Sequence, residues 1–198
     1  MSQLTRREVL LMLGAAGVGA AIGVSPAVVE RASRAARKAT AAGGFRPAFF
    51  TPHEWHTVRV LADLVIPADE RSGSATDAGV PEFMDFMLVE RESMQTRMRG
   101  GLRWLDAEGV ERFGSAFADL DPADRAAILD DIAWPARARP EMTQGVAFFN
   151  FFRDLTAAGF FSSRIGVDDL GYMGNRAVAE WTGCPPEALR HLGLDPAV

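Results

Sequence analysis

Apolar and polar positions follow a helical period along most of the chain beyond residue 45. Thr51 can cap a helix, Pro52 suits its first turn, and Glu54 completes a Thr-x-x-Glu capping box. Trp55, Val58, Ala62 and Val65 then share one face, and Pro67 stops the run. Asp69–Gly79 reads as a polar loop. From Pro81, Phe83, Met84, Phe86, Met87 and Leu88 cover most of a helix circumference, which predicts a helix buried at the centre. Glu92–Phe117 continues as helix, with a break or close contact expected at Gly100-Gly101. Asp121-Pro122 opens another, with Asp121 as cap and Ile128, Leu129 and Ile132 on its apolar face. Met142–Ala158 is the most aromatic stretch, holding Phe148, Phe149, Phe151 and Phe152. From Ser162 the pattern reads mostly as loop, with a short final helix at Pro186–Leu192. Sustained period-2 alternation is missing, so the expected fold is mostly α: one compact domain of five to six helices.

The N-terminal pattern is of another kind. Met1–Glu8 is polar and contains adjacent arginines, and Val9–Val24 follows as sixteen uncharged residues rich in Gly and Ala. Ser25-Pro26-Ala27 places small residues at the −3 and −1 positions of a cut after Ala27. These are the three parts of a secretory signal. The run Thr5-Arg6-Arg7-Glu8-Val9-Leu10 is similar to a twin-arginine signal, with Arg6, Arg7 and Leu10 in the expected places, although Val9 stands where Phe is commonest. Two fates stay open, cleavage after Ala27 or retention as an anchor; sixteen residues fall short of the roughly 20 needed to span a bilayer as a helix. Gly17, Gly19 and Gly23 imitate a nucleotide fingerprint, but no strand precedes them. The chain therefore divides into a signal segment 1–27, a linker 28–44 in which Glu30–Gly44 is Ala-rich linker or frayed helix, and a helical domain 45–198.

Charge sharpens this division. Residues 1–40 hold six Lys/Arg against two Glu, which leaves fifteen basic and twenty-four acidic residues for the rest of the 198-residue chain. A body this acidic is no nucleic-acid binder. One Cys rules out a disulfide framework within the chain, and three His leave little for a metal site.

Candidate chemistry is thin. His53 and His56 are one position too close for a His-Glu-x-x-His zinc helix, and Glu54 between them serves the cap. Asp130-Asp131 are neighbours about 100° apart on a helix and cannot converge as an acid–base pair. Asp168-Asp169 read as solvated, and His191 as a surface residue. No Gly-x-Ser-x-Gly elbow, P-loop or Cys–His pairing is present. Cys184, in the turn-like Trp181-Thr182-Gly183-Cys184-Pro185-Pro186, is either a buried small hydrophobe or half of an interchain disulfide.

Several segments together resemble the gluconate 2-dehydrogenase subunit 3 family. They are Phe50-Thr51-Pro52-x-Glu54, Leu64-Val65-Ile66-Pro67-Ala68-Asp69-Glu70, Ala78-Gly79-Val80-Pro81-Glu82-Phe83-Met84-Asp85-Phe86, Gly101-Leu102-Arg103-Trp104-Leu105-Asp106, Phe148-Phe149 and Leu155-Thr156-Ala157-Ala158-Gly159-Phe160-Phe161. Tyr172-Met173-Gly174-Asn175 stands where the family often has Gly-Gly-Asn, a variation similar to the glucoside 3-dehydrogenase branch. The resemblance implies a non-catalytic small subunit without a cofactor of its own. Its implied partners are a large FAD-binding dehydrogenase subunit, the twin-arginine translocase and, in many members, a cytochrome c. It implies help with the large subunit's folding and export to the periplasm, with the rival readings being a stand-alone sugar-binding protein or enzyme using the Asp168–Asn175 loop, or a membrane-anchored scaffold. An accessory subunit needs aromatic and Arg anchors at its interface. The candidates are Arg137, Arg139, Phe149, Phe152, Phe160, Phe161, Tyr172 and Asn175, with Cys184 as a covalent link.

Overall fold

The computed structural model describes residues 25–172 and 183–194, which form eight α-helices and two short 3-10 turns with no strand among them. The helices are α1 (Pro26–Ala42), α2 (Pro52–Val65), α3 (Val80–Glu90), α4 (Glu92–Phe113), α5 (Pro122–Ala133), α6 (Thr143–Phe161), α7 (Arg164–Asp169) and α8 (Pro186–His191). The fold is mostly α, packed about one core.

Central position goes to α3, as its apolar circumference predicts. Every residue from Val80 to Asp85 is buried, with Met87 and Leu88. Two of these carry carboxylates. Asp85 accepts the backbone N–H groups of Ala48, Phe49 and Phe50 at 2.9, 2.9 and 3.2 Å, and so clamps the strap leading into α2. Glu82 Oε2 has no hydrogen-bond partner, and burial pushes the Glu82 carboxyl above its usual range. The Gly79 cap that opens α3 has φ +75°, and a Cβ there would sit 2.8 Å from Thr40 Oγ1. The position requires glycine on both counts.

The capping box on α2 forms in both directions: Glu54 N donates to Thr51 Oγ1 at 3.3 Å and Thr51 N to Glu54 Oε2 at 2.8 Å. The expected close contact in α4 is real. A Cβ on Gly101 would lie 1.8 Å from the Phe148 ring, so Gly101 is the socket into which α6 inserts that side chain. Helix α4 ends at Phe113, four residues earlier than expected, because Gly114 turns left-handed at φ +81°. Asp121 precedes α5 but makes no side-chain cap; its carbonyl takes Arg125 N at 3.1 Å.

Two expectations need correction. Residues 28–44 are no linker. Val28, Val29, Ala32 and Ala36 fall at helical spacing and are buried, chiefly against α3, so α1 belongs to the core. Small Ala side chains allow close helix approach, and the same Ala-rich composition had suggested fraying. The region after Ser162 is also more helical than expected. Ser163 Oγ accepts Gly166 N at 3.0 Å and caps α7, which turns back tightly over Phe160.

Candidate partner-binding surface

Helix α6 organises the candidate surface. Its Phe148, Phe151, Phe152, Leu155, Ala158 and Phe160 are buried among α3, α4 and α5, while Phe149 is half-buried against the same core. Phe152 and Phe160 are 0% and 1% exposed, so these two leave the candidate interface: a side chain enclosed by its own domain has no surface to offer a partner. The aromatic helix is core over most of its circumference. Its two ends, about 27 Å apart at 1.5 Å per residue, carry what remains.

At the N-terminal end, Trp134 follows α5 and is 60% exposed; Val110 and Phe113, near the end of α4, are exposed too. Arg137 lies 5.9 Å from the Trp134 ring centroid, within cation–π range. Arg139 reaches Asp131 at 3.6 Å and Glu141 at 3.2 Å, and Arg112 reaches the same Asp131 at 2.9 Å. Asp131 is thus an ion-pair hub joining α4, α5 and the loop before α6. Every arginine here has a partner within the domain.

The C-terminal end is different. Here a shallow groove of about 410 Å³ opens between the loop after α2 and the junction of α6 with α7. Val65, Ile66, Pro67, Ala157, Phe160 and Phe161 give it an apolar lining, and Asp69, Ser72, Arg153 and Asp169 contribute the polar groups. The loop is held rigidly. Asp69 accepts Arg71 N and Ser72 N, each at 2.8 Å, and these backbone bonds hold its carboxyl below the usual range. Arg71 in turn donates to the Asp169 carbonyl at 2.8 Å, tying the loop to α7. Asp63 takes both the Thr76 N–H and hydroxyl, at 2.8 and 2.7 Å. Phe161 is 37% exposed and stacks edge-on against the buried Phe160. Leu170 and Tyr172 continue the exposed apolar surface along the chain. Asn175 lies outside the described residues.

The sequence alone did not single out Val65, Ile66, Pro67 or Ala157 as site residues; they read as a helix face and its stop. One signal could have found them. The segments Leu64–Glu70 and Leu155–Phe161, quoted above for their family resemblance, are the two walls of this groove.

Other candidates stay apart. His53 Nε2 pairs with Asp106 at 2.7 Å on the surface, and that hydrogen bond raises the His53 pKa. Cys184 is an exposed free thiol. Among the described residues no cluster of three His, Cys, Asp or Glu could hold a metal ion. No described helix is long and apolar enough to cross a membrane.

Comparison with curated proteins and with solved structures gives no match. The family model described as gluconate 2-dehydrogenase subunit 3 matches residues 52–180 and so takes in both walls of the groove. The chain belongs to that family, whose members are subunits of dehydrogenase complexes.

Proposed function

We propose that this chain is the non-catalytic small subunit of a periplasmic FAD-dependent sugar or glycoside dehydrogenase. Catalysis and FAD belong to the large subunit, with a cytochrome c as its electron acceptor. The small subunit supports the large one's folding and carries it through the twin-arginine translocase by means of Arg6, Arg7 and Leu10. One observation carries the reading of how the two meet: the groove at the C-terminal end of α6 is walled by two family-resembling segments and lined by Val65, Ile66, Pro67, Ala157 and Phe161, apolar side chains that the domain leaves partly uncovered. The large subunit inserts an apolar segment there and covers Phe161, Leu170 and Tyr172 around it. The Trp134–Arg137–Arg139 surface is a second, weaker contact.

Co-expression with the large subunit tests this. With the small subunit present, a yellow complex is expected on the far side of the membrane; without it, the flavoprotein stays inside the cell. Replacing Arg6 and Arg7 by Lys should strand both chains in the cytoplasm. An active large subunit exported regardless would end the carrier role.

Cys184 adds a covalent possibility to the same complex. Its thiol is exposed and is the chain's one cysteine, so any disulfide must reach another chain. A single band on a non-reducing gel, split by reductant and absent in Cys184→Ser, is the expected result. Two bands without reductant would leave the thiol unpaired.

A further inference from the structure

Cleavage after Ala27 and retention of the N-terminal segment were both open from the sequence; α1, which precedes the matched residues, separates them. Ser25 is the N-cap of α1 and Pro26 its first residue, so the Ser25-Pro26-Ala27 motif is already part of the helix or its cap. The Ser25 carbonyl accepts Val28 N at 3.0 Å and Val29 N at 3.3 Å, which places the Ala27–Val28 bond inside the first turn. Immediately beyond that bond both valines are buried, Val29 completely. Farther along, Arg31 pairs with Glu90 at 3.0 Å and Arg37 donates to the Ser162 carbonyl at 3.2 Å. The helix is thus fixed to α3 and to the end of α6.

A protease takes its substrate extended, with the backbone groups around the scissile bond free to pair with the enzyme. Presenting Ala27–Val28 therefore requires the first turn to unwind and two valines to leave the core. Cutting there would also delete the Ser25 carbonyl acceptor and place an α-ammonium at the positive end of the helix dipole. Twin-arginine substrates cross the membrane folded, so a signal peptidase on the far side meets α1 already formed.

We infer that the folded domain protects its own Ala27–Val28 bond, and that the exported chain therefore keeps residues 1–27. This rests on the export reading of the N-terminus given above.

The decisive measurement is made on purified full-length chain in detergent, treated with purified signal peptidase and read by intact mass. A companion variant carries a short Gly/Ser stretch between Ala27 and Val28, which moves the same motif off the helix without touching the core. The unaltered chain should keep its 21.4 kDa mass, while the insertion variant is cut after Ala27 at least about tenfold faster, as expected when cleavage follows the open population. Equal cleavage of both overturns the inference. So does cleavage of neither, because the motif would then be unrecognised and masking would explain nothing. Cleavage of the unaltered chain upstream of Ser25 also overturns it, since residues 1–27 would not be kept. Fractionation of cells with and without the Arg6/Arg7→Lys change tests export separately; a chain confined to the cytoplasm in both cases fails the export reading and leaves the peptidase result standing.

Discussion

The two ends of α6 are built from similar residues and do different work. At the N-terminal end an exposed tryptophan and three arginines look like interface anchors, yet each arginine is spoken for: Arg112 and Arg139 by Asp131, Arg137 by Trp134. A partner docking there must compete with contacts that already exist. At the C-terminal end the polar groups have been turned to holding the loop, Asp69 by backbone N–H groups and Asp169 by Arg71. That leaves apolar side chains open to a partner without rearrangement. The lesson is that residue type announces an interface less reliably than what the residue's polar atoms are already bonded to.

The sharpest way to break this comparison is to set buried α6 phenylalanines against an exposed one. Phe152→Ala and Phe160→Ala should each destabilise the domain by about 3–5 kcal/mol in urea unfolding, as large aromatic truncations in a core do. Phe161→Ala should cost about 1 kcal/mol or less, because the ring is half outside. A Phe160→Ala protein as stable as the parent but deficient in partner binding would return that residue to the interface.

Next in size is a substitution within the groove itself. Ala157 lines it and is not fully buried, so Ala157→Arg should leave the melting temperature nearly unchanged. Affinity for the large subunit should fall about tenfold or more, equivalent to 1.4 kcal/mol. Titration of the purified subunits measures it, and unchanged affinity would move the main contact elsewhere.

Buried in the core is a carboxyl with an oxygen that has no hydrogen-bond partner. Glu82 is on α3, whose Phe83 and Val80 pack against Gly159 of α6. Its carboxyl pKa is raised by burial, so the folded chain holds this proton more tightly than the unfolded chain does. The group's contribution is therefore best in acid and is lost as pH rises beyond the usual carboxylate range. Glu82→Gln should raise stability at neutral pH by about 1 kcal/mol, and the gain should vanish towards acid. Thermal melts across that range decide it; a gain independent of pH would mean that the charge is not what costs stability.

The smallest effect belongs to the N-terminal end. Reversing Arg137 and Arg139 to Glu removes the Arg137 contact with the Trp134 ring and the two exposed ion pairs of Arg139, each ion pair worth about 0–1 kcal/mol. The complex should weaken by no more than about fivefold, with the circular dichroism of the subunit unchanged. Loss of helical signal would show that these arginines hold the domain together.

Much of the fold was legible because its signals are local. The α2 capping box spans four residues, the buried circumference of α3 is a run of six, and the Gly100-Gly101 step announced close packing. Errors arose where composition masked period. The Ala-rich stretch after residue 28 looked like linker, though Val28, Val29, Ala32 and Ala36 carry the spacing of a buried stripe. The site was harder to read. Arg137 and Arg139 were singled out for their charge, and nothing local says that Asp131 and Trp134 already engage them.

The sequence by itself determined that this is a helical domain, where most of its helices start, and that it resembles one family of dehydrogenase subunits. Helix starts, apolar stripes and motif order are written within a few residues of one another, and local energetics suffice to read them. Only the tertiary structure decided which phenylalanines face inward, which arginines are engaged, and that residues 65–67 and 157–161 form one groove. Those outcomes depend on contacts between positions far apart in the chain, such as Arg71 with Asp169 and Gly101 with Phe148. No helical or strand period encodes them, because they are fixed by how the packed helices share a single core.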